Sequence, residues 1–367
     1  MKRVGIITMH RPISFGSSLQ AYALQKAIQD IGYDCEIIDY QYPNSQHKTR
    51  RFSIKNIVSK VIHYFMNALF GMPCLVEFIR FKKFRKKFLC LSRYYKDAEQ
   101  LRLNPPLYDI YCTGSDQVWN SNFTKGDTSF LLSFVREGKK VSYASSFAID
   151  YIVEDYIKTY AHCLAQYSAI SVREHNGISL VKDLTGMDAA LVCDPTLLLP
   201  REEWLPLIKE SRIRIDKPYV LVFMLTYSYN PYPDVNDIIN FIQLSMGLHV
   251  VVLSGNKYDY CRKDTTVIKN AGPLEFLYLI ENASYVITSS FHGVAFCVNF
   301  SKPFIAIIKK DNKDTRILSF LKRIGLEKHA VAYNDKINAI DLSIPDISGC
   351  VQFREDSLKY LQKFLRH

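Results

Sequence analysis

The sequence predicts two α/β domains in one chain, each built around a parallel β-sheet. Its 367 residues exceed what one hydrophobic core usually fills, which is about 250 to 300 residues. Short apolar runs alternate with stretches of helical spacing along most of the chain, and strands separated by helices form parallel sheets. Polar residues follow directly after several apolar runs, at the sheet edge where such folds bind ligands.

The first 40 residues show the alternation clearly. Val4 to Met9 is a strand-like run, residues 19–31 carry apolar side chains at helical spacing up to Gly32, and Glu36 to Tyr40 is a second strand. Further strands of the first domain are predicted at residues 108–113, 140–145, 169–172 and 189–193. We assign residues 1–195, with the segment 48–102 as a helical excursion, to an N-terminal α/β domain.

A second series of strands begins after a predicted linker at residues 196–217. Its strands are predicted at residues 219–225, 249–253, 285–288 and 304–308, with helices at 273–282 and 314–325. This C-terminal α/β domain spans residues 218–345. The leucines of residues 346–367 lie on one helical face, which predicts a closing helix that returns to the first domain.

The composition is that of a folded, intracellular protein. Hydrophobic residues make up 48% and charged residues 23%, with no low-complexity tract, so the whole chain is expected to fold. The nine cysteines form no CxxC pair, which predicts buried thiols in a reducing compartment. The first apolar run is interrupted by His10 and Arg11, so it is no signal peptide and a cytoplasmic location is expected.

The positive charge is concentrated in one segment. Residues 48–102 hold 14 lysines and arginines against three acids, which equals the net charge of +11 of the whole chain. Phe78, Phe81, Phe88 and Leu91 are predicted along one helix face, with the basic residues opposite. Three interpretations remain: a helix that packs its phenylalanines on the core, a surface that docks on anionic membranes, and a nucleic-acid site.

A loop with small polar residues joins the first strand to the first helix. Gly16 permits close approach of a ligand, while Ser17 and Gln20 offer hydrogen bonds beside the helix N-terminus. These three are candidate substrate-binding residues, although most strand-to-helix turns need a polar cap for structural reasons alone.

A denser polar cluster follows the strand that ends near Thr113. Asp116 is placed to act as a base toward a hydroxyl, and Ser115 and Gln117 are candidate substrate-binding residues. Trp119 either stacks on a sugar ring or anchors the core. Such a density of hydrogen-bonding groups at a strand end is typical of carbohydrate sites.

Two further clusters carry groups suited to anions. Arg173 ends a strand and offers a planar fork for a carboxylate or phosphate, unless it forms only a surface ion pair with Glu174. Thr288 to Gly293 opens a helix, where Ser289, Ser290, His292 and Gly293 are candidates for a phosphate site with His292 as proton donor. A purely structural helix cap remains the alternative there.

Several common enzyme classes lack their motifs. The sequence contains no GxxxxGK[ST], no GxGxxG after the first strand, no HExxH and no GxSxG. Nucleotide hydrolysis, classical dehydrogenase chemistry, zinc proteolysis and serine hydrolysis are therefore not indicated, and neither is a bound metal.

Taken together and in order, the clusters resemble the polysaccharide pyruvyltransferase family. Each stretch alone is weak, whereas the ordered set spans nearly the whole chain and is specific. The matching stretches are residues 16–24, 114–120, 143–147, 171–174, 194–196 and 288–293.

The resemblance implies a fold class and a reaction. The fold would be GT-B-like, with two doubly wound, Rossmann-like domains facing a cleft. The reaction would transfer the pyruvate moiety of phosphoenolpyruvate to two hydroxyls of a sugar in a bacterial surface polysaccharide or its precursor, with no metal or cofactor. Arg173 and His292 match the arginine and histidine of the family motifs. We expect His292 and Asp116 to provide the acid and the base. The N-terminal domain would then be the acceptor side, and the C-terminal domain would bind phosphoenolpyruvate.

One position departs from the family pattern. Some members carry an arginine two residues before the motif histidine, where this chain has Ser290. Arg316 and Lys310 are the candidates for the second cationic contact to phosphoenolpyruvate, since both lie near the next strand end.

Two other functions stay open at the level of sequence. One is a glycosyltransferase that uses a nucleotide sugar in the same architecture. The other is a non-catalytic basic protein that binds lipid or nucleic acid. The expected partners are phosphoenolpyruvate and a sugar acceptor, and nucleic acid is not expected. The acceptor is lipid-linked, nucleotide-linked or part of a polymer; a lipid-linked acceptor would bring the protein to the inner face of the cytoplasmic membrane.

Overall fold

The protein structure is a computed structural model that describes residues 2–42, 73–226, 229–253, 265–309, 315–332 and 340–366. The chain divides into two compact units. Unit 1 comprises Met1–Pro195 together with Ser357–His367, and unit 2 comprises Thr196–Asp356. The first 25 residues of the predicted basic segment, 48–72, lie outside the described residues.

Unit 1 contains a five-stranded parallel sheet in the order β3-β2-β1-β4-β5. Its strands are β1 (Arg3–Ile7), β2 (Asp34–Tyr40), β3 (Leu91–Tyr95), β4 (Ile110–Thr113) and β5 (Lys139–Ser142). A short parallel pair, β6 (Ser171–Val172) and β7 (Ala190–Leu191), continues it through single bridges such as Ser145 to Val172. The strand order reverses between β1 and β4.

Six helices of unit 1 lie in the described part of the chain. They are α1 (Phe15–Asp30), α2 (Pro73–Phe88), α3 (Ala98–Leu103), α4 (Ser121–Thr124), α5 (Ile157–Leu164) and α6 (His175–Thr185). Helix α1 begins where the Ser14 side chain accepts a hydrogen bond from the Ser17 amide at 3.3 Å. It ends before Gly32, whose φ of 103° favours glycine.

Unit 2 repeats the same topology, with a six-stranded parallel sheet in the order β10-β9-β8-β11-β12-β13. Its strands are β8 (Tyr219–Phe223), β9 (His249–Leu253), β10 (Thr265–Ile268), β11 (Tyr285–Thr288), β12 (Phe304–Ile308) and β13 (Ala330–Ala332). The described helices are α7 (Arg201–Lys209), α8 (Val235–Met246), α9 (Pro273–Glu281), α10 (Phe291–Asn299) and α11 (Thr315–Arg323). Here the order reverses between β8 and β11.

The region predicted as a linker, residues 196–217, is an ordered part of unit 2. Helix α7 lies within it, and Trp204 of this helix is fully buried with its ring 5.0 Å from that of Phe296. Arg201 forms an ion pair with Glu281 of α9. The linker prediction was wrong because the apolar face of a short helix here packs on the core of unit 2.

Helix α12 (Ser348–Arg366) begins in unit 2, and its residues from Ser357 onward belong to unit 1. The Ser357 hydroxyl accepts a hydrogen bond from the Cys193 amide at 2.9 Å. The Tyr360 hydroxyl donates to the Ile170 carbonyl at 3.2 Å. The C-terminal turns thus pack on unit 1, and Leu361 and Leu365 in these turns are fully buried.

Three strands were not predicted from the sequence, namely β3, β10 and β13. Each is the edge strand of its sheet. Edge strands are only half buried, so their sequences lack the continuous apolar run of a central strand. Leu91 was predicted on the helix face with Phe88, but helix α2 ends at Phe88 and Leu91 begins β3.

Among the described residues, no helix has both the length and the apolar character needed to cross a membrane. Six of the cysteines in this part of the chain are buried thiols, as predicted, whereas Cys90 is exposed.

Candidate active site

The candidate site of unit 1 lies where the strand order reverses, at the carboxyl ends of β1 and β4. In doubly wound sheets the chains leaving two such strands turn to opposite faces and leave a crevice for ligands. The loop after β1 brings Ser17 to this crevice, and the segment after β4 brings Asp116. Two motifs separated by 99 residues in sequence therefore meet in one place.

Asp116 is held in an unusual backbone conformation. Its φ is 75°, in the left-handed region that residues other than glycine rarely adopt. Its carbonyl accepts hydrogen bonds from the amides of Val118 at 2.7 Å and Ser146 at 3.1 Å, which secure this conformation. Such backbone geometry concentrates at functional sites.

The carboxylate of Asp116 is fixed at both oxygens. Oδ2 accepts a hydrogen bond from Ser17 Oγ at 2.5 Å, and Oδ1 accepts one from the Gln117 amide at 2.9 Å. The side chain is 13% exposed, so it is largely buried but still reaches the surface. Ser17, predicted to bind substrate, thus orients the carboxylate.

Arg173 is buried beneath Asp116. Its side chain is 4% exposed, and Nη1 donates to Asp194 Oδ2 at 2.7 Å and to Ser115 Oγ at 3.3 Å. Nη2 lies 3.9 Å from Asp116 Oδ1, and Nε lies 3.6 Å from Glu174 Oε2. The alternative of a surface ion pair with Glu174 is therefore wrong, since the guanidinium of Arg173 is buried within a network of three carboxylates.

These carboxylates keep Arg173 charged. Burial lowers the pKa of its guanidinium, but the nearby charges of Asp194, Glu174 and Asp116 outweigh this effect and raise the pKa above its ordinary value. The network joins the segments that follow β4, β6 and β7. The positions of these strand ends therefore depend on one cation.

Three other predicted residues of unit 1 serve as its framework. Gln20 and Ser115 are fully buried; the Gln20 amide donates to Thr8 Oγ1 at 2.9 Å, and Thr8 in turn donates to the Ser115 carbonyl at 2.8 Å. Gly16 is buried in the first turn of α1. The prediction that Gln20 and Ser115 contact the substrate directly was wrong, because their polar groups face the protein interior. Gln117 remains half-buried at the surface of the crevice.

Trp119 is a core residue. It is fully buried, its indole N–H donates to the Phe130 carbonyl at 3.2 Å, and its ring lies 5.2 Å from that of Phe147. The prediction that it binds substrate was wrong, and the alternative of a core anchor is what the structure shows. Its role is to fix the segment that carries Asp116.

Sequence analysis missed a second charged cluster at the same sheet edge. Arg11 binds both oxygens of Asp39 at 2.7 and 2.6 Å, and His10 Nε2 lies 2.9 Å from Asp39 Oδ1. Burial raises the pKa of Asp39, but the hydrogen bonds from His10 and Arg11 outweigh burial and leave the pKa below its ordinary value. The pairs Arg11–Asp39 and His10–Asp39 span two strands, so no local motif marked them.

The candidate site of unit 2 lies at the equivalent position, at the carboxyl ends of β8 and β11. Thr288 Oγ1 donates to the Phe223 carbonyl at 2.7 Å. Ser289 Oγ accepts from the Leu225 amide at 2.8 Å. Both side chains tie the ends of the two strands together, so Ser289 supports the crevice through the backbone.

His292 and Gly293 lie in the first turn of α10. Ser290 is the cap, since its hydroxyl accepts a hydrogen bond from the Gly293 amide at 3.2 Å. A Cβ atom at Gly293 would lie 2.6 Å from Thr288 Oγ1, so the close packing of helix on strand requires glycine. His292 is half-buried, with its ring 5.4 Å from that of Phe291. Ser290, Gly293 and His292 therefore share one helix N-terminus.

Arg316 is half-buried in the first turn of α11. Phe320, four residues later on the same helix face, packs against Phe291 with ring centroids 5.7 Å apart. Arg316 thus lies one turn from the contact between α11 and the start of α10. The other cation predicted for this region, Lys310, lies outside the described residues.

The sequence model of the polysaccharide pyruvyl transferase family matches residues 15–310. The chain belongs to this family. The match contains every motif that suggested the resemblance, from the loop at Gly16 to the helix start at His292. No curated protein sequence matches the chain.

Solved structures of similar fold cover nearly the whole of this polysaccharide pyruvyl transferase family member. The UDP-GlcNAc 2-epimerase of Methanocaldococcus jannaschii is 12% identical with a TM-score of 0.51, covering 98% of this chain and 100% of its own. The UDP-GlcNAc 2-epimerase of Neisseria meningitidis is 9% identical with a TM-score of 0.50, again covering 98% and 100%. At this identity the likeness shows the fold alone: two Rossmann-like domains, GT-B-like, as predicted.

Proposed function

We propose that this enzyme transfers the pyruvate moiety of phosphoenolpyruvate to two hydroxyls of a sugar, which belongs to a surface polysaccharide or its precursor. The products are a cyclic pyruvate ketal and free phosphate. The observation that carries the proposal is the family match, three of whose motifs, residues 16–24, 114–120 and 288–293, follow strands at the order reversals of the two sheets. These order reversals are where doubly wound domains bind their ligands.

The donor phosphate is assigned to unit 2. The N-terminus of α10 carries a partial positive charge and the amides of its first turn, which attract a phosphate. His292 in this turn is proposed as the acid that protonates the donor, and Arg316 on the neighbouring helix is proposed as the second cation. Arg316 of α11 would thereby take the role of the arginine that some family members carry two residues before the histidine.

Asp116 of unit 1 is assigned as the base toward the acceptor. Ser17 and the Gln117 amide fix its carboxylate, so its orientation is set before a substrate arrives. Preorganisation of this kind lowers the cost of reaching the transition state. Arg173 is proposed to bind the donor carboxylate through Nη2, the edge of its guanidinium that lies nearest to Asp116.

The proposed steps balance in atoms and charge. A proton adds to the methylene carbon of phosphoenolpyruvate, and the first sugar hydroxyl forms a bond to the resulting cationic carbon while Asp116 accepts its proton. The bond from that carbon to the phosphate oxygen then breaks, and the second hydroxyl closes the ketal. One hydroxyl proton thus replaces the proton spent on the methyl group, and the other leaves with phosphate. The steps use no metal and no nucleotide.

Incubation of the enzyme with phosphoenolpyruvate and candidate glycan intermediates tests the proposal. We expect phosphate release that depends on the acceptor, together with a glycan that gains one pyruvate and loses one water by mass spectrometry. Release of a nucleoside diphosphate from a nucleotide sugar, with no use of phosphoenolpyruvate, would instead establish a glycosyltransferase.

A further inference from the structure

The outward face of helix α2 carries an ordered set of exposed side chains. The exposed positions are 78, 79, 82, 83, 86 and 87, a spacing that places them on one helical face. Phe78 and Ile79 are 43% and 40% exposed and occupy one end of this face. The lysines at positions 82, 83, 86 and 87 occupy the rest. The face therefore combines an apolar end with a basic stripe.

The opposite face of α2 anchors it to unit 1. Phe81 and Phe84 are buried, and their rings lie 5.5 Å from that of Phe15 and 6.2 Å from that of Tyr22. Packing on the core, one of the three interpretations of this segment, thus holds for this face of the helix. Phe81 and Phe84 pack on the core, whereas Phe78, which was predicted on the same face as Phe81 and Phe88, is exposed on the outward side of α2.

These contacts also set the direction of α2. Phe81 lies beside the first residue of α1, and Phe88 lies 6.2 Å from Tyr22 further along α1, so the two helices run side by side in the same direction. The Arg85 guanidinium donates to the Arg11 carbonyl at 3.2 Å. The loop of residues 8–14, in which Ile13 is 50% exposed, therefore lies beside α2.

This arrangement matches an anionic lipid surface. Lysines attract lipid phosphates without a fixed geometry, and exposed apolar side chains at one end enter the boundary between headgroups and acyl chains. A nucleic-acid site would favour arginines that bind phosphates in pairs, but the half-buried Arg85 is engaged with the Arg11 carbonyl. A phosphate backbone also offers no apolar surface for the exposed side chains of Phe78 and Ile79.

We propose that the outer face of α2, from Phe78 to Lys87, docks the protein on anionic membrane surfaces, with Phe78 and Ile79 entering the lipid. Docking is independent of the reaction proposed above. Docking would bring the enzyme to a lipid-linked acceptor, and this part of the inference rests on the proposed function. The first turn of α1, which carries Ser17, would then lie near the membrane, where a lipid-linked sugar is presented.

Co-sedimentation of the full chain with vesicles tests the proposal in the absence of donor and acceptor. We compare phosphatidylcholine vesicles with vesicles in which about a third of the lipid is phosphatidylglycerol. We expect binding to the anionic vesicles that is at least about tenfold stronger and that fades as salt rises from about 0.05 to 0.5 M. Replacing Lys82, Lys83, Lys86 and Lys87 by glutamine should weaken binding about a hundredfold or more.

A matched variant separates this face from net charge. Glutamine at Lys158, Lys209, Lys217 and Lys322, four exposed lysines on other elements, removes the same charge and should change binding less than about threefold. The double change Phe78→Ser and Ile79→Ser should reduce the part of the vesicle binding that remains at about 0.5 M salt.

Three outcomes overturn the proposal. The first is equal binding by both four-lysine variants, and the second is no binding to anionic vesicles by folded protein at low salt. The third is tighter, competing binding of a DNA or RNA duplex through the same lysines. None of these results bears on pyruvate transfer to a soluble acceptor, so docking and the proposed function fail separately.

Discussion

At the scale of single residues, the proposed reaction depends on an acid, a base and the groups that orient them. Replacing His292 by alanine removes the proposed proton donor at the start of α10, and we expect kcat to fall about a hundredfold or more. His162→Ala, at an exposed histidine of unit 1, is the control and should leave kcat unchanged. Near-normal turnover of a folded His292→Ala protein would remove this residue from the mechanism.

Ser17 is expected to act through Asp116. Ser17→Ala deletes the 2.5 Å hydrogen bond to a carboxylate, and since such bonds contribute about 1.5 to 3 kcal/mol, kcat should fall about tenfold or more. Because the donor is assigned to other residues, KM for phosphoenolpyruvate should stay the same, and Ser17→Thr should restore activity. Ser14→Ala, which removes only the helix cap, should lower stability by about 1 kcal/mol without this effect on kcat.

Arg173→Lys separates binding from structure. An ammonium has no planar fork, so we expect a raised KM for phosphoenolpyruvate together with a lower melting temperature, as the contacts to Asp194 and Ser115 are lost. The control is Arg201→Lys, since its pair with Glu281 is partly exposed. If the melting temperature falls and KM does not change, Arg173 is a structural cation only.

At the scale of elements, the ends of β1 and β2 are joined by the cluster of His10, Arg11 and Asp39. Asp39→Asn leaves Arg11 and His10 without their anion, so we expect the free energy of unfolding to fall by about 3 kcal/mol at pH 7. The matched change Asp34→Asn, at the exposed start of β2, should cost less than about 1 kcal/mol.

The same cluster predicts a dependence on pH. The pKa of Asp39 is lowered by folding, so its stabilisation is present above the unfolded pKa of about 4 and is lost as pH falls through the folded value. Chemical denaturation should therefore show the wild type and Asp39→Asn converging in stability below about pH 4. A constant difference down to low pH would contradict this assignment.

Most elements could be predicted from local patterns because central strands are continuous apolar runs. Edge strands such as β3 and β13 are short and half-exposed, so their sequences resemble loops. The position of Asp116 could be predicted from its motif, but its left-handed backbone and its contact with Ser17 depend on distant segments. Exposure decides between the two interpretations of Trp119, and exposure is a property of the tertiary structure.

At the scale of the whole molecule, the chain repeats one doubly wound topology and places its polar motifs at the same edge each time. The segment that holds the net charge of +11 includes α2, whereas the polar motifs lie outside that segment. This division agrees with the two proposals, which place the chemistry at the sheet edges and membrane docking on a helix. Each unit positions its side chains at the order reversal of its own sheet.

The most direct measurement of the central claim is the reaction run in deuterium oxide, with the product examined by mass spectrometry and NMR. Protonation of the methylene carbon by a solvent-exchanged acid predicts a pyruvate ketal whose methyl group carries one deuterium, with one phosphate released for each ketal. A ketal with an undeuterated methyl group, or phosphate release without any pyruvylated sugar, would contradict the account.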